Sequence, residues 1–141
     1  MSLFKFVYKR IPFPFADIEN LRSYIYIENL TDFIYQCMIN KNSLNKVFLL
    51  SDDNPISTPK LIRTISIVLN RKLIMFSIPY FVQRLLLHFL FFKKRFQKLS
   101  NSFLVSNADA KDIMNWTPLY DFMYGMQKTS IWFKEYISKK N

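Results

Sequence analysis

Residues 11–30 read IPFPFADIENLRSYIYIENL, and this stretch decides the fold. Pro12 and Pro14 keep their neighbours extended, because proline disfavours helix at its own position and at the preceding one. Arg22 comes just before the alternating run YIYI at 24–27, which predicts a short strand leading into a helix. A guanidinium on such a strand is suited to a phosphate, because its donors match phosphate oxygens bidentately.

The composition excludes several kinds of site. The 141 residues, half of them hydrophobic, are enough for one domain with a buried core. The single glycine, Gly125, cannot form a dinucleotide-binding G-x-G-x-x-G loop or a P-loop. One cysteine, Cys37, and one histidine, His88, exclude a Cys/His zinc cluster and a disulfide framework. We expect a reduced, intracellular setting, with Cys37 in the core and His88 as a structural histidine.

The net charge of +10 fits three kinds of partner, namely nucleic acid, an anionic membrane and a phosphorylated ligand. The sequence has no helix-turn-helix turn, RNP aromatic motif or regular basic helix stripe, so we expect no nucleic-acid partner. The positive residues are dispersed except at 93–95 and in the tail at 139–140. A solvated basic face is the main interpretation of the cluster over 93–98, with a phosphate contact by one of its members as the alternative.

The rest of the chain alternates predicted helices with short extended runs. Asn29 is a candidate N-cap for the helix that follows the YIYI run, and Ser57 or Thr58 for the helix that begins at Pro59. Val47, Phe48, Leu49 and Leu50 form an apolar run that predicts a strand buried on both faces. The predicted segments are helices over 1–9, 30–39, 59–69, 108–114 and 120–137, strands over 22–27, 47–50 and 73–78, and an extended piece over 102–106.

Residues 73–92 form the one stretch that is long enough to suggest a membrane span. Gln83, Arg84 and His88 lie near its centre, and an arginine at mid-bilayer costs at least ~2.5 kcal/mol. Pro79 also divides the stretch into a strand-like and a helix-like half. We therefore expect no span, and a small basic membrane-associated protein using 73–92 is kept as an alternative.

Several segments, in order, resemble one enzyme family. RSYIYIENLTDFI (22–34) resembles the R-x-[FY]-[IV]-x-V-x-[DN]-L-x-D-x-[IA] segment of the NAD-dependent epimerases and dehydratases of nucleotide sugars, which are extended short-chain dehydrogenases. VFLLSDDNPISTPKLIRTISIVLNR (47–71) resembles the strand, turn and Ser/Thr-capped helix of that family, and DAKDIMNWTPLYDFMYGMQKTSIWF (109–133) its closing helices. IPFPF (11–15) resembles the strand that lies against the nucleotide. The branch that looks most similar is the UDP-glucose 4-epimerase-like enzymes of bacterial surface polysaccharide synthesis.

The resemblance implies that some residues of this chain bind the diphosphate of the substrate and that others line its nucleobase pocket. Arg22 would contact the diphosphate of a UDP-sugar, and a surface salt bridge to Glu19 or Glu28 is the alternative for this arginine. The family uses a second phosphate-binding arginine, for which Arg95 or Lys98 is the candidate. The residues implied to line the nucleobase pocket are Phe13, Pro14 and Phe15.

The same resemblance shows what the sequence lacks. Family catalysis requires the Gly-rich cofactor loop and a Tyr-x-x-x-Lys pair, in which the lysine lowers the tyrosine pKa. Two literal matches, Tyr124 with Lys128 and Tyr136 with Lys140, lie in the final helix, far from the family position, and neither is assigned. We therefore assign no catalytic residue and expect no NAD for this chain alone, although NAD serves the full-length family.

The sequence thus predicts a mixed α/β fold, the C-terminal part of an NAD-dependent epimerase/dehydratase, made of helices with a few short strands and without the Rossmann half. Residues 1–141 are expected to be a single nucleotide-sugar-binding domain, a fragment of a longer cytoplasmic enzyme. Such a fragment would be inactive alone or completed by a separate N-terminal Rossmann chain. A stand-alone UDP-sugar-binding module is the further alternative.

Overall fold

The computed structural model describes residues 2–14, 16–77 and 100–140. Within these residues the chain is mostly helical, and its extended segments meet at isolated bridges. The helices predicted in this part of the chain are confirmed. They are α1 (Ser2–Tyr8), α2 (Ile27–Ile39), α3 (Thr58–Leu69), α4 (Ala108–Met114) and α5 (Phe122–Ser138), with a 3₁₀ turn at Lys41–Ser43.

Helix α3 has the ends that its sequence predicts. Ser57 is the N-cap and its side chain accepts a hydrogen bond from the Lys60 backbone N–H, while Pro59 lies in the first turn. Asn70 ends the helix in the left-handed conformation, with φ 52° and ψ 53°. Ile62 and Ile65 on its inner face are fully buried, and Val68 is partly buried against the same core. These local signals place α3 without help from the rest of the chain.

The main core lies where α1, α3 and α5 pack together. Phe133 of α5 is 1% exposed and lies between Phe4 and Tyr8 of α1, with ring centroids 5.3 and 6.0 Å away. A second, smaller cluster joins α2 to α4, with the Phe33 ring 5.1 Å from Trp116 and 5.3 Å from Phe48. Two separate apolar clusters therefore have to be held in register by the segments between them.

One extended segment, 20–26, connects the two clusters. The backbone of Arg22 forms an antiparallel bridge with Ile56 and, on its other side, a parallel bridge with Phe103. The Ile56 and Arg22 backbones exchange two hydrogen bonds of 2.9 and 3.0 Å, and Ser23 donates to the Phe103 carbonyl at 2.9 Å. Further along, the Asp52 N–H donates to the Tyr24 carbonyl at 2.7 Å. The segment thus has neighbours on both sides, as the interior strand of a sheet would.

Three predictions for this region are wrong. The strand over 22–27 is not continuous, because the segment pairs through single bridges and Ile27 already belongs to α2. Residues 47–50 do not form a buried strand, since Val47 is 88% and Leu49 63% exposed. Only the alternate residues, Phe48 and Leu50, pack on the second cluster, and no backbone hydrogen bond joins this run to another described segment.

Asn29 is the third correction, because it lies inside α2 rather than capping it. The helix begins two residues earlier and Asn29 is 0% exposed. Its Nδ2 donates to Asp52 Oδ1 at 2.8 Å and to the Tyr120 carbonyl at 2.9 Å, and its Oδ1 accepts from the Tyr120 N–H at 2.9 Å. Asp52 Oδ2 in turn accepts from the Tyr26 N–H at 3.0 Å. This buried amide therefore links α2 to the 51–55 loop and to the start of α5.

Several predictions fall on residues outside those described. They concern Phe15, Arg95 and Lys98, the helix beyond Pro79 with His88, and the last residue of the 73–78 strand. Within the described part of that strand, Met75 forms a parallel bridge with Phe13. Among the described helices, none is both long enough and apolar enough to cross a membrane.

The Asn29 network gives a prediction for stability. We expect Asn29→Ala to lower the free energy of unfolding by about 2–4 kcal/mol, because Asp52 Oδ1 and the backbone N–H and carbonyl of Tyr120 lose the amide to which they hydrogen-bond. Urea denaturation followed by circular dichroism measures this. Asn42→Ala, at an exposed position, is the matched control and should change the value by less than about 0.5 kcal/mol. A loss below about 1 kcal/mol for Asn29→Ala would contradict the assigned network.

The single glycine gives a second prediction. A Cβ added at Gly125 would lie 2.9 Å from two ring carbons of Tyr26, so α5 needs glycine there to approach the extended segment. We expect Gly125→Ala to destabilise the protein by about 1–3 kcal/mol, the usual cost of overpacking. Thermal unfolding of Gly125→Ala with and without Tyr26→Ala tests the cause. If the second change gives no recovery of stability, the Tyr26 contact is not the reason.

Candidate functional site

Arg22, the predicted phosphate contact, lies on the doubly paired segment 20–26. Its side chain is half-buried, and its Nη1 donates to the Asn101 carbonyl at 3.2 Å. It also hydrogen-bonds Tyr24, where burial raises the pKa of the phenol and the nearby Arg22 charge opposes that rise. The guanidinium therefore lies at the surface end of a rigid segment, beside residues 101–103.

Asn20 holds the three segments around Arg22 together. It is 3% exposed, and its side chain exchanges two hydrogen bonds with Thr58, at 3.0 Å to the hydroxyl and 2.9 Å from the backbone N–H. Its Nδ2 also donates to the Asn101 carbonyl at 3.3 Å, the same oxygen that accepts from Arg22. The N-terminus of α3 and the 101–103 segment are thereby joined at the base of Arg22. Sequence reasoning missed Asn20, and an amide two residues before an arginine gives no recognisable signal.

Phe13 and Pro14, the predicted nucleobase wall, lie on the neighbouring extended segment. Phe13 is 4% exposed, belongs to the main core and meets the Phe6 ring edge-on at 6.2 Å. Its backbone N–H donates to Ile74 at 2.9 Å and its carbonyl accepts from Phe76 at 3.0 Å. Pro14 is half-buried. The Phe13 ring thus anchors this segment in the core, and Pro14 is the more accessible of the two.

The 51–53 loop lies on the other side of the segment and was not assigned a role from the sequence. Ser51 Oγ donates to the Val105 carbonyl at 2.9 Å. Asn107 Nδ2 donates to the Ser51 carbonyl and to Asp53 Oδ1, both at 3.0 Å, so Asn107 caps α4 by position but not through its side chain. Lys111 Nζ lies 2.6 Å from Asp53 Oδ1. These contacts connect the 51–53 loop to α4 and to the residues just before it. The groups that they join are at least 54 positions apart in sequence.

The described residues hold no group of three or more His, Cys, Asp or Glu side chains arranged for a metal ion. The two Tyr-x-x-x-Lys matches lie in α5 and its C-terminal turn. Lys128 Nζ lies over the Tyr124 ring at 5.3 Å from its centroid, and that ring stacks on Tyr120 at 4.6 Å.

The Asp53–Lys111 pair gives a pH-dependent prediction. Hydrogen bonds from Lys111 and Asn107 hold the pKa of Asp53 below its ordinary value. A lowered pKa in the folded state stabilises the fold above about pH 4 and loses that contribution as the pH falls. We expect Asp53→Asn to cost less than about 1 kcal/mol at neutral pH, because the pair is exposed, and nothing near pH 2. Urea titrations at both pH values test this, and an equal cost at both would contradict it.

Comparisons with known proteins give a partial match in sequence and in fold. No family model matches the sequence. Over 136 residues the chain is 31% identical to a UDP-glucose 4-epimerase of Vibrio cholerae, a match that covers 92% of this chain and 40% of that protein. The chain therefore spans about two fifths of the length of the relative that it matches.

Two solved structures share the fold. A UDP-glucose 4-epimerase from Thermotoga maritima with UDP-glucose has a TM-score of 0.64 at 12% identity, over 96% of this chain and 39% of that one. A dTDP-glucose 4,6-dehydratase from Bacillus anthracis in complex with NAD has a TM-score of 0.64 at 14% identity, over 95% of this chain and 38% of that one. Both likenesses agree with the interpretation of the mostly helical architecture as part of an α/β fold. The resemblance to the nucleotide-sugar epimerases and dehydratases is therefore confirmed, and the chain corresponds to a C-terminal portion of such a protein.

Proposed function

We propose that this chain supplies the nucleotide-sugar-binding portion of an NAD-dependent epimerase/dehydratase, with a UDP-sugar as its ligand. The observation that carries the proposal is Arg22, an arginine on an extended segment that pairs on both sides. The similarity to a UDP-glucose 4-epimerase supports the choice of ligand.

The chemistry of Arg22 fits a diphosphate. A guanidinium carries five N–H donors in a planar fork, so a bond to the Asn101 carbonyl is compatible with further bonds to phosphate oxygens. The segment that bears it is already ordered by backbone pairing and by Asn20, so little conformational entropy is lost when an anion binds. In this proposal Arg22 contacts the diphosphate and holds the sugar nucleotide against the 101–103 segment.

The remaining proposed contacts are with the nucleobase and with the phosphates. Pro14 offers an apolar surface to the nucleobase, and Phe13 keeps that surface in place through the core. Phe15 completes the same wall in this proposal. Arg95 or Lys98 provides the second cationic contact, which spreads the phosphate charge over two side chains.

Chemistry on the sugar needs parts that the sequence does not contain. The one glycine lies within α5, where it packs on Tyr26, so the cofactor loop of the family has no counterpart in these 141 residues. We propose that NAD is bound by an N-terminal Rossmann portion outside these 141 residues, and that these residues alone bind substrate without converting it. The proposed setting is the cytoplasmic synthesis of bacterial surface polysaccharide.

Isothermal titration calorimetry with UDP-glucose tests the proposal. We expect saturable binding, and a loss of about tenfold to a hundredfold in affinity for Arg22→Ala, since a hydrogen bond to a charged group contributes about 1.5–3 kcal/mol. Arg63→Ala, an exposed arginine on α3, is the matched control and should bind as the unmodified protein does.

Titration with NAD on the same samples should give no binding heat. Absence of UDP-glucose binding by the folded protein, or equal affinity of the Arg22→Ala and Arg63→Ala variants, would overturn the proposed role of Arg22. Stoichiometric NAD retained on purification would overturn the assignment of the cofactor to a portion outside these 141 residues.

A further inference from the structure

The charge of this protein is strongly segregated along the chain. Residues 2–10, 58–72 and 122–140, which hold α1, α3, α5 and the turns after them, contain eleven Lys and Arg and one acidic residue, Glu135. The other described residues contain four Lys and Arg and nine Asp and Glu. The excess of positive charge within the described residues therefore comes from one of the two packed parts of the molecule.

The fold brings these cations together. The Arg71 guanidinium lies 4.7 Å from the centroid of the Tyr8 ring, so the C-terminal ends of α1 and α3 meet. Lys134 Nζ donates to the Val68 carbonyl at 3.3 Å, which places α5 beside the same end of α3. We call the resulting surface the basic face, and its members are Lys5, Lys9, Arg71, Lys72 and Lys134.

Large side chains on α5 border the basic face. Trp132 is 53% exposed and stacks on Tyr136 with ring centroids 5.7 Å apart. Lys5 Nζ lies 5.8 Å from the centroid of the Tyr136 ring, which connects this aromatic pair to the cations. Ile131, next to Trp132, is also 53% exposed. An exposed tryptophan beside lysines and an aliphatic side chain is typical of surfaces that lie at a membrane–water interface.

We propose that the basic face binds the surface of an anionic phospholipid membrane. Clustered Lys and Arg are attracted to anionic headgroups, and each additional cation strengthens binding several-fold. Trp132 and Ile131 would enter the boundary between headgroups and acyl chains, where an amphipathic ring is favourable. Arg22 lies near Thr58 at the N-terminus of α3, whereas Arg71 and Lys72 follow its C-terminus, so this surface is distinct from the proposed diphosphate contact.

A nucleic acid is the competing anionic partner, and the aromatic contacts disfavour it. Proteins that bind single strands stack successive bases on open aromatic faces. Here the Tyr8 ring has Arg71 over it, and the Tyr136 ring is contacted by Trp132 and by Lys5. Binding to a lipid surface does not require open faces on Tyr8 and Tyr136, because it depends on charge and on shallow insertion of Trp132.

Co-sedimentation with vesicles tests the proposal. The probes are vesicles of phosphatidylglycerol mixed with phosphatidylcholine, and vesicles of phosphatidylcholine alone. We expect binding to the anionic vesicles, at least about tenfold weaker binding to the zwitterionic ones, and release by high salt. Trp132 emission should shift to the blue with anionic vesicles, because its ring moves into a less polar environment.

Two matched double variants locate the surface. Lys9→Glu with Lys72→Glu changes two exposed cations of the basic face and should weaken binding by at least about 30-fold. Lys41→Glu with Lys46→Glu makes the same change in net charge at exposed positions elsewhere and should weaken it by less than about threefold. Circular dichroism on both variants verifies that they are folded.

Equal weakening by the two double variants, or equal binding to both kinds of vesicle, would overturn the proposal. A duplex or single-stranded oligonucleotide that displaces the protein from anionic vesicles at equal phosphate concentration would also overturn it, in favour of a nucleic-acid partner. UDP-glucose affinity measured on the same variants is expected to be unchanged, so failure here is distinguishable from failure of the nucleotide-sugar proposal.

Discussion

The backbone of Arg22 pairs with Ile56 on one side and with Phe103 on the other, and the rest of the structure depends on this double contact. It joins parts of the chain that are separated by about 34 and 81 positions, at a point where the two apolar clusters come together. Together with the contacts of Asn29, this pairing sets the position of α2 and α4 relative to the core of α1, α3 and α5. The arginine proposed to hold the ligand therefore lies on the segment that is most constrained.

Buried asparagine side chains join the segments that, in a sheet, a longer ladder of backbone hydrogen bonds would join. Asn20 joins the segment to α3, and Asn29 joins α2 to the 51–55 loop and to Tyr120. Each such hydrogen bond contributes about 1 kcal/mol net to stability. Its loss costs more, because it leaves a buried polar group without a hydrogen-bond partner. Asparagine also replaces glycine at turns, since Asn70 and Asn115 end their helices with φ of 52° and 51°. A chain with one glycine can fold in this way because asparagine tolerates the left-handed region.

The sequence predicts well whatever is decided locally and poorly whatever is decided by distant partners. The ends of α3 follow from Ser57, Pro59 and Asn70, and its inner face follows from apolar spacing. The start of α2 was misplaced because Asn29 looks like a cap, whereas its amide is used by Asp52 and Tyr120, which are 23 and 91 positions away. The motif alone identifies Arg22 as a candidate phosphate contact. It does not predict the hydrogen bonds from Asn20 to Thr58 and to the Asn101 carbonyl, since only the fold brings those residues together.

Residues 47–50 are all apolar, yet only two of the four side chains are partly buried, and the packing explains why. The run is apolar on both faces, as in a strand that is buried between two layers, yet Val47 and Leu49 are mostly exposed. Phe48 and Leu50 already pack on the second cluster, so the inner half of the pattern is satisfied within the chain. The outer half has no partner in the described residues, and the chain matches about two fifths of its Vibrio cholerae relative. A run that packs on one face only therefore partly buries the inner half of its apolar side chains and leaves the outer half in contact with water, as Val47 and Leu49 do.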